Sequence, residues 1–175
     1  MSNYNPNLMA DLIPSQSAAG FEIGADLDSV LKKVGPILWH EENSSLEEVL
    51  SMSTGWTGLK TRHGLPGGPY TQGQSLIYMN NVVCLEFEDS LKLYKIDVGL
   101  GYEGCFLGIK PGNKLQSIEK EGFSILFNDM DDEFLLARNQ RPIEGISFLT
   151  DYRTSLENAP DQTIHCISIH DWSLR

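Results

Sequence analysis

The chain has 175 residues, 41% of them hydrophobic and 21% charged, an ordinary balance for one folded domain with its own core and not for extended disorder. Twenty-four Asp and Glu against thirteen Lys and Arg give a net charge of -11, which repels phosphate backbones and anionic membranes and argues against either as a direct partner. Three cysteines, Cys84, Cys105 and Cys166, are odd in number and far apart, unlike the framework of a small secreted domain, so each is expected as a buried free thiol in an apolar run.

Residues 1–19, rich in Asn, Ser and Ala with two prolines, read as a flexible arm, and residues 20–175 as a single globular domain. The N-terminus lacks the basic and apolar regions of a secretory signal, and no apolar run approaches the ~20 residues that span a bilayer, so cytoplasmic residence is expected. Phe21 and Ile23 alternate across Glu22 and predict a short strand. A helix follows over 26–34: Asp26 can cap it, Gly35-Pro36 ends it, and Leu27, Val30, Leu31 and Val34 form one apolar face suited to a sheet. A second short helix is predicted over 45–52, where Leu46, Val49 and Leu50 repeat the spacing.

Residues 53–73 hold six glycines and two prolines and read as a long loop around a weak strand over 59–62. Trp56, His63 and Tyr70 lie among the glycines, a mix that suits a binding loop; a compact structural loop with Trp56 tucked into the core accounts for the same residues. From residue 75 the hydrophobic period becomes two. Strands are predicted over 75–79, 82–88, 91–98, 104–109, 123–127, 133–137, 143–149 and 163–169, with a helix over 113–120 between Pro111-Gly112 and Gly122. The connections are too short for crossover helices, so the predicted class is α+β, mainly β: a curved antiparallel sheet or sandwich-like domain with two or three short helices.

Gly99-Leu100-Gly101-Tyr102-Glu103-Gly104 imitates a dinucleotide-binding fingerprint. That fingerprint needs a helix whose N-terminal amides meet the phosphates; the residues after Gly104 read as an extended segment instead, so a glycine-rich connection is the plainer account. His40, His63, His165 and His170 have neither the helical spacing nor the CxxC company of zinc sites. No local sequence marks an activated thiol. Residues 128–133, Asn-Asp-Met-Asp-Asp-Glu, lack the register of a calcium loop and read as a solvated hairpin turn, or as carboxylates for a basic partner. Glu86, Glu88, Asp89, Glu41 and Glu42 could extend that surface. No cofactor or metal and no catalytic residue is expected.

The succession GFEIG, a capped helix, LKLYKIDVGLGYEG, IKPGNKLQSIEKEG, FSILFNDMDDEFLL, PIEGISFLTD and TIHCISIHDW resembles the layout of small bacterial immunity proteins. It is similar in particular to those of contact-dependent growth inhibition systems, whose toxins include EndoU-like and other ribonucleases. The resemblance spans residues 20–172 and is one of layout, without a diagnostic motif. It implies a non-enzymatic cytoplasmic antitoxin that binds a basic nuclease toxin domain one-to-one and occludes its active site, with carboxylates standing where phosphates would sit. The expected contact residues are Asp129, Asp131, Asp132, Glu133, Glu86, Glu88, Trp56, His63 and Tyr70, with Trp39, Tyr102 and Trp172 as further aromatic candidates. The alternative is a small-ligand-binding or hydrolytic domain with a pocket under the 53–73 loop and His63 as its polar group. An assembly subunit with a self-complementary apolar patch is a third class.

Overall fold

The structure is a computed structural model that describes residues 4–40, 45–52, 55–63 and 71–175, the side chains of Met52 and His63 excepted. A two-stranded ribbon, β1 (Ser17–Ala18) and β2 (Phe21–Glu22), leads into helix α1 (Leu27–Val34). Then come β3 (Leu38–Trp39), helix α2 (Leu46–Met52), and the long ribbon of β4 (Trp56–His63) and β5 (Thr71–Tyr78). Strands β6 (Val83–Phe87) and β7 (Leu93–Gly99) precede a 3-10 helix at Leu115–Glu121. The chain closes with β8 (Ser124–Asn128), β9 (Glu133–Arg138), β10 (Arg141–Thr150), β11 (Ile164–His170) and a short 3-10 turn, Trp172–Leu174.

Strands β3 to β11 form one nine-stranded sheet in the order β3-β4-β5-β6-β7-β11-β10-β9-β8. All its pairings are antiparallel except β3 with β4. The mainly-β class read from the period-two pattern is therefore the observed one, with a mixed sheet. Two tight turns run through positive φ, with Asn at the positions that tolerate it best: Met79, Asn80 and Asn81 lead from β5 to β6, and Asn139 and Gln140 join β9 to β10.

Strict alternation gives the sheet two unlike faces. Val83, Leu85 and Phe87 on β6, Ile96 and Val98 on β7, Ile167 and Ile169 on β11, and Phe134 and Leu136 on β9 point into the core. α1 covers this face with Leu27, Val30 and Val34, and the 3-10 helix adds Leu115 and Ile118. α1 ends as its sequence demands, with Gly35 at φ 83 and its N–H returned to the Leu31 carbonyl. Asp26 takes the N-cap backbone position but makes no side-chain cap bond; its carboxylate pairs with Lys92 at 2.8 Å instead.

Three expectations are corrected. Residues 4–19 are no loose arm: Leu12, Ala18 and Ala19 are core residues, and backbone bonds tie Tyr4 to Val34, Leu12 to Cys105 and Ser15 to Gly145. Residues 104–109 form no sheet strand but a turn with one bridge, Phe106 to Ile109. The weak strand over 59–62 is the middle of β4, paired with β5 along its whole length from Trp56 to His63, so much of the expected 53–73 loop is sheet. The glycine-rich connection is as expected: Gly99-Leu100-Gly101 turns the chain out of β7, with Gly101 at φ 100, and no helix starts after Gly104 where phosphates would need one. Gly104 has a packing reason, since a Cβ there would lie 1.8 Å from the Ala10 carbonyl oxygen. The neighbouring Tyr102 is buried, donating its hydroxyl to Ala10 O at 2.7 Å and accepting from Ala19 N at 2.9 Å.

Candidate functional site: the polar face of the sheet

The second face of the sheet carries the chemistry. Register sets its rows: Glu86 lies opposite Lys95 and Lys95 opposite His170, while Cys84 lies opposite Asp97, Asp97 opposite Ser168, and Ser168 opposite Ser147. Each of these residues alternates with a core side chain, so the period that builds the hydrophobic face also lays a polar lattice across β6, β7, β11 and β10.

At its centre Lys95 Nζ sits 2.9 Å from Asp97 Oδ2 and 3.6 Å from Glu86 Oε2. Ser168 donates its hydroxyl to Asp97 at 2.5 Å, and Tyr94 donates its own to Glu86 at 2.9 Å. Burial opposes the Lys95 charge, yet Asp97 and Glu86 more than offset it and its pKa is raised. Burial and the neighbouring Asp97 push the Glu86 carboxyl up despite Lys95, and burial together with Glu86 pushes the Tyr94 phenol up. Cys84 and Cys166 flank the cluster as free thiols held well above their ordinary pKa by burial, which disfavours thiolate and nucleophilic chemistry.

A cavity of about 500 Å³ opens where β9, β10 and β11 meet the C-terminal turn. Its cause is a break in register. Pro142 pairs with Ala137 and Ser147 with Leu135, so residues 143–146 of β10 stand against Leu136 alone. The bulge turns on Gly145, φ 77, where a Cβ would collide with Ser15; Ser15 holds the bulge by donating its N–H to the Gly145 carbonyl at 3.1 Å.

Asp131, Glu133, Glu144 and Asp171 line this cavity, over a floor that includes Leu135 and Ile146, and no Lys or Arg lines it. No ion pair among the described residues includes any of the four. Glu133 is only 8% exposed, and burial, reinforced by Asp131, raises its pKa. His170 is 5% exposed and its Nε2 has no hydrogen-bond partner. Burial and Lys95 push its pKa down to about 4, so the ring is neutral near pH 7. Trp172 stacks on that ring, centroids 4.4 Å apart, and forms part of the wall.

The expected contact residues separate in space. Asp131 and Glu133 face the cavity, whereas Asp132 pairs with Arg153 at 3.4 Å. Asp129 and Met130 project at the hairpin tip, Met130 being 89% exposed. Glu86 is bound into the Lys95 cluster, and Glu88 is held by Arg175 at 2.8 Å, so both are already neutralised within the chain. Trp56 is 2% exposed and is no surface contact: it packs edge-on against Phe21, and its indole N–H donates to Tyr4 O at 2.8 Å. Tyr102 is likewise a core residue. The side chain of His63 and the whole of Tyr70 lie outside the described residues, as do Glu41 and Glu42.

Among the described residues no three His, Cys, Asp or Glu side chains are grouped as a metal site, and no helix is long and apolar enough to cross a membrane. Glu144, Asp171 and His170 were not singled out as cavity residues by the sequence; the one available signal was Gly145, an isolated glycine in a strand pattern, which marks a bulge. Comparisons with protein-family models, curated proteins and solved structures gave no match.

Proposed function

We propose that the protein is a non-enzymatic immunity protein that binds a basic nuclease toxin domain one-to-one and occludes its active site. The observation that supports this reading is the placement of four carboxylates that make no ion pair around one cavity, beside the projecting hairpin of residues 128–133. A nuclease cleft holds its cations apart to receive phosphates, and a partner with a net charge of -11 is drawn to it and can stand in for the backbone. The hairpin offers exposed carboxylates that make no ion pair at Asp129 and Asp131, the latter accepting from the Asn128 amide at 2.9 Å, together with an apolar knob in Met130. That combination gives fast association from charge and residence time from buried apolar contact. The identification of the partner as a toxin rests on the resemblance in layout.

The test is recovery of partners from the source cytosol on the tagged chain at low and high salt, followed by a ribonuclease assay. A basic nuclease retained one-to-one and silenced on addition of the chain is the expected result. Retention of no basic protein at either salt refutes the reading.

A further inference from the structure

We infer that the cavity between β9, the β10 bulge and the C-terminal turn is a receptor for a single arginine side chain of the partner. This rests on the reading above for the partner's identity, but not for the chemistry of the site. The four carboxylates arrive from separate segments, Asp131 and Glu133 from the hairpin and β9, Glu144 from the bulge and Asp171 from the end of β11, yet all line one space whose walls hold no Lys or Arg; Asp131 and Glu133 also border an adjoining recess with Lys95, Arg153 and Arg175, none of which forms an ion pair with them. Ordinary acidic clusters on this protein look different. Asp132, one residue from two of the four, has Arg153; Glu88 has Arg175; Glu103 has Lys110.

Two further features mark the space as built. Glu133 and His170 are both more than nine-tenths buried, and the His170 Nε2 is without a partner. A neutral imidazole can accept an N–H where an imidazolium could not. The shape comes from the Gly145 bulge locked by Ser15, so it is held by backbone and not by mobile side chains. A guanidinium satisfies such a set better than an ammonium: its planar fork reaches carboxylates on more than one side, and it is less strongly hydrated, so it enters a partly enclosed site more readily.

The experiment uses the intact chain, isotopically labelled, titrated with L-arginine amide, L-lysine amide and the neutral L-citrulline amide at fixed ionic strength and followed by NMR. Arginine amide is expected to move the Trp172 indole, His170 ring and Glu133 signals saturably, lysine amide to bind at least threefold more weakly, and citrulline amide not to bind. Glu133→Gln, which keeps the shape of a buried side chain, is expected to weaken arginine amide at least tenfold. The exposed Glu144→Gln gives a second reading with no threat to folding, and Glu119→Gln, exposed on the 3-10 helix and outside the cavity, leaves binding unchanged. Shifts that fail to saturate, are shared by citrulline amide, or survive both cavity variants overturn the assignment. Because no toxin is present, these outcomes are separate from the pull-down: arginine capture without a basic nuclease partner would keep the site and discard the antitoxin reading.

Discussion

Replacing Lys95 with methionine removes the one cation that neutralises the centre of the polar face. The ammonium lies 2.9 Å from Asp97 and 3.6 Å from Glu86, which at an effective dielectric of ~20 corresponds to gross attractions of about 6 and 5 kcal/mol. Dehydrating the three groups offsets most of that, but the offset is not recovered when one partner alone is deleted, so removal costs about 3–5 kcal/mol. For a chain of this length each kcal/mol moves the midpoint by ~2–4 °C, so Lys95→Met should melt on the order of 10 °C lower at pH 7 by circular dichroism. The pH dependence has a definite sign. In the variant, burial and the neighbouring Asp97 push the Glu86 carboxyl up without the opposing Lys95 charge, so it stays protonated to higher pH in the folded than in the unfolded chain. The folded variant then binds more protons, and its deficit grows as pH rises and shrinks toward pH 5. Removing all three charges, as Lys95→Met with Glu86→Gln and Asp97→Asn, should restore stability to within about 1–2 kcal/mol of the parent. A single-variant loss below ~1 kcal/mol at pH 7, or a loss constant with pH, would refute the argument that the cluster is a buried, mutually dependent unit.

Trp56→Ala should destabilise by about 3–5 kcal/mol through the cavity left in the core, while any partner affinity measured below the unfolding transition stays unchanged; a selective loss of affinity would return Trp56 to the binding surface. Gly104→Ala should lower the urea midpoint by the equivalent of about 1–3 kcal/mol and make residues 4–19 protease-sensitive, because the added methyl strikes the Ala10 carbonyl. His170 is held neutral in the fold with its pKa depressed to about 4, so the unfolded chain takes up a proton first as pH falls. Its contribution to stability is present above the unfolded value of about 6.5 and is lost toward pH 4; the parent should therefore lose more stability over that window than His170→Gln does in parallel urea titrations. Charge reversal at Asp129 and Asp131 should slow association with a basic partner about tenfold or more at low salt, with little effect on dissociation, as read by surface plasmon resonance.

The alternation of Val83, Leu85 and Phe87 with Cys84 and Glu86 fixes, from sequence alone, a strand with one buried and one polar face, and the same local rule places β5 to β11. Spacing of Leu27, Val30 and Val34 before Gly35 does the same for α1. These features depend on neighbours within a few residues, which is why they are legible without a fold. Residues 104–109 show where the rule fails: an apolar stretch of strand length turns back on itself because Gly104 must accept the backbone at Ala10, a contact made 94 residues away in the chain. The N-terminal segment looks loose because its Asn, Ser and Pro content has no period, yet Leu12 donates its N–H to the Cys105 carbonyl and Ala19 to the Tyr102 hydroxyl, distant partners that no local pattern encodes. β4 is hidden among glycines for a similar reason: Gly58 lies beneath the Trp39 ring, and the strand exists because β5 pairs with it.

Charge and its sign were set by composition, and so was the acidic hairpin. Which carboxylates stay outside ion pairs was decided only by tertiary structure, since neutralisation depends on where cations land: Arg153 reaches Asp132 and Arg175 reaches Glu88, while Asp131 and Glu133 line the space that the Gly145 bulge opens, whose walls hold no Lys or Arg. Sequence determines the faces of each strand through side-chain period; the assembly of those faces, and the long-range pairing of charge with charge, belongs to the packed sheet.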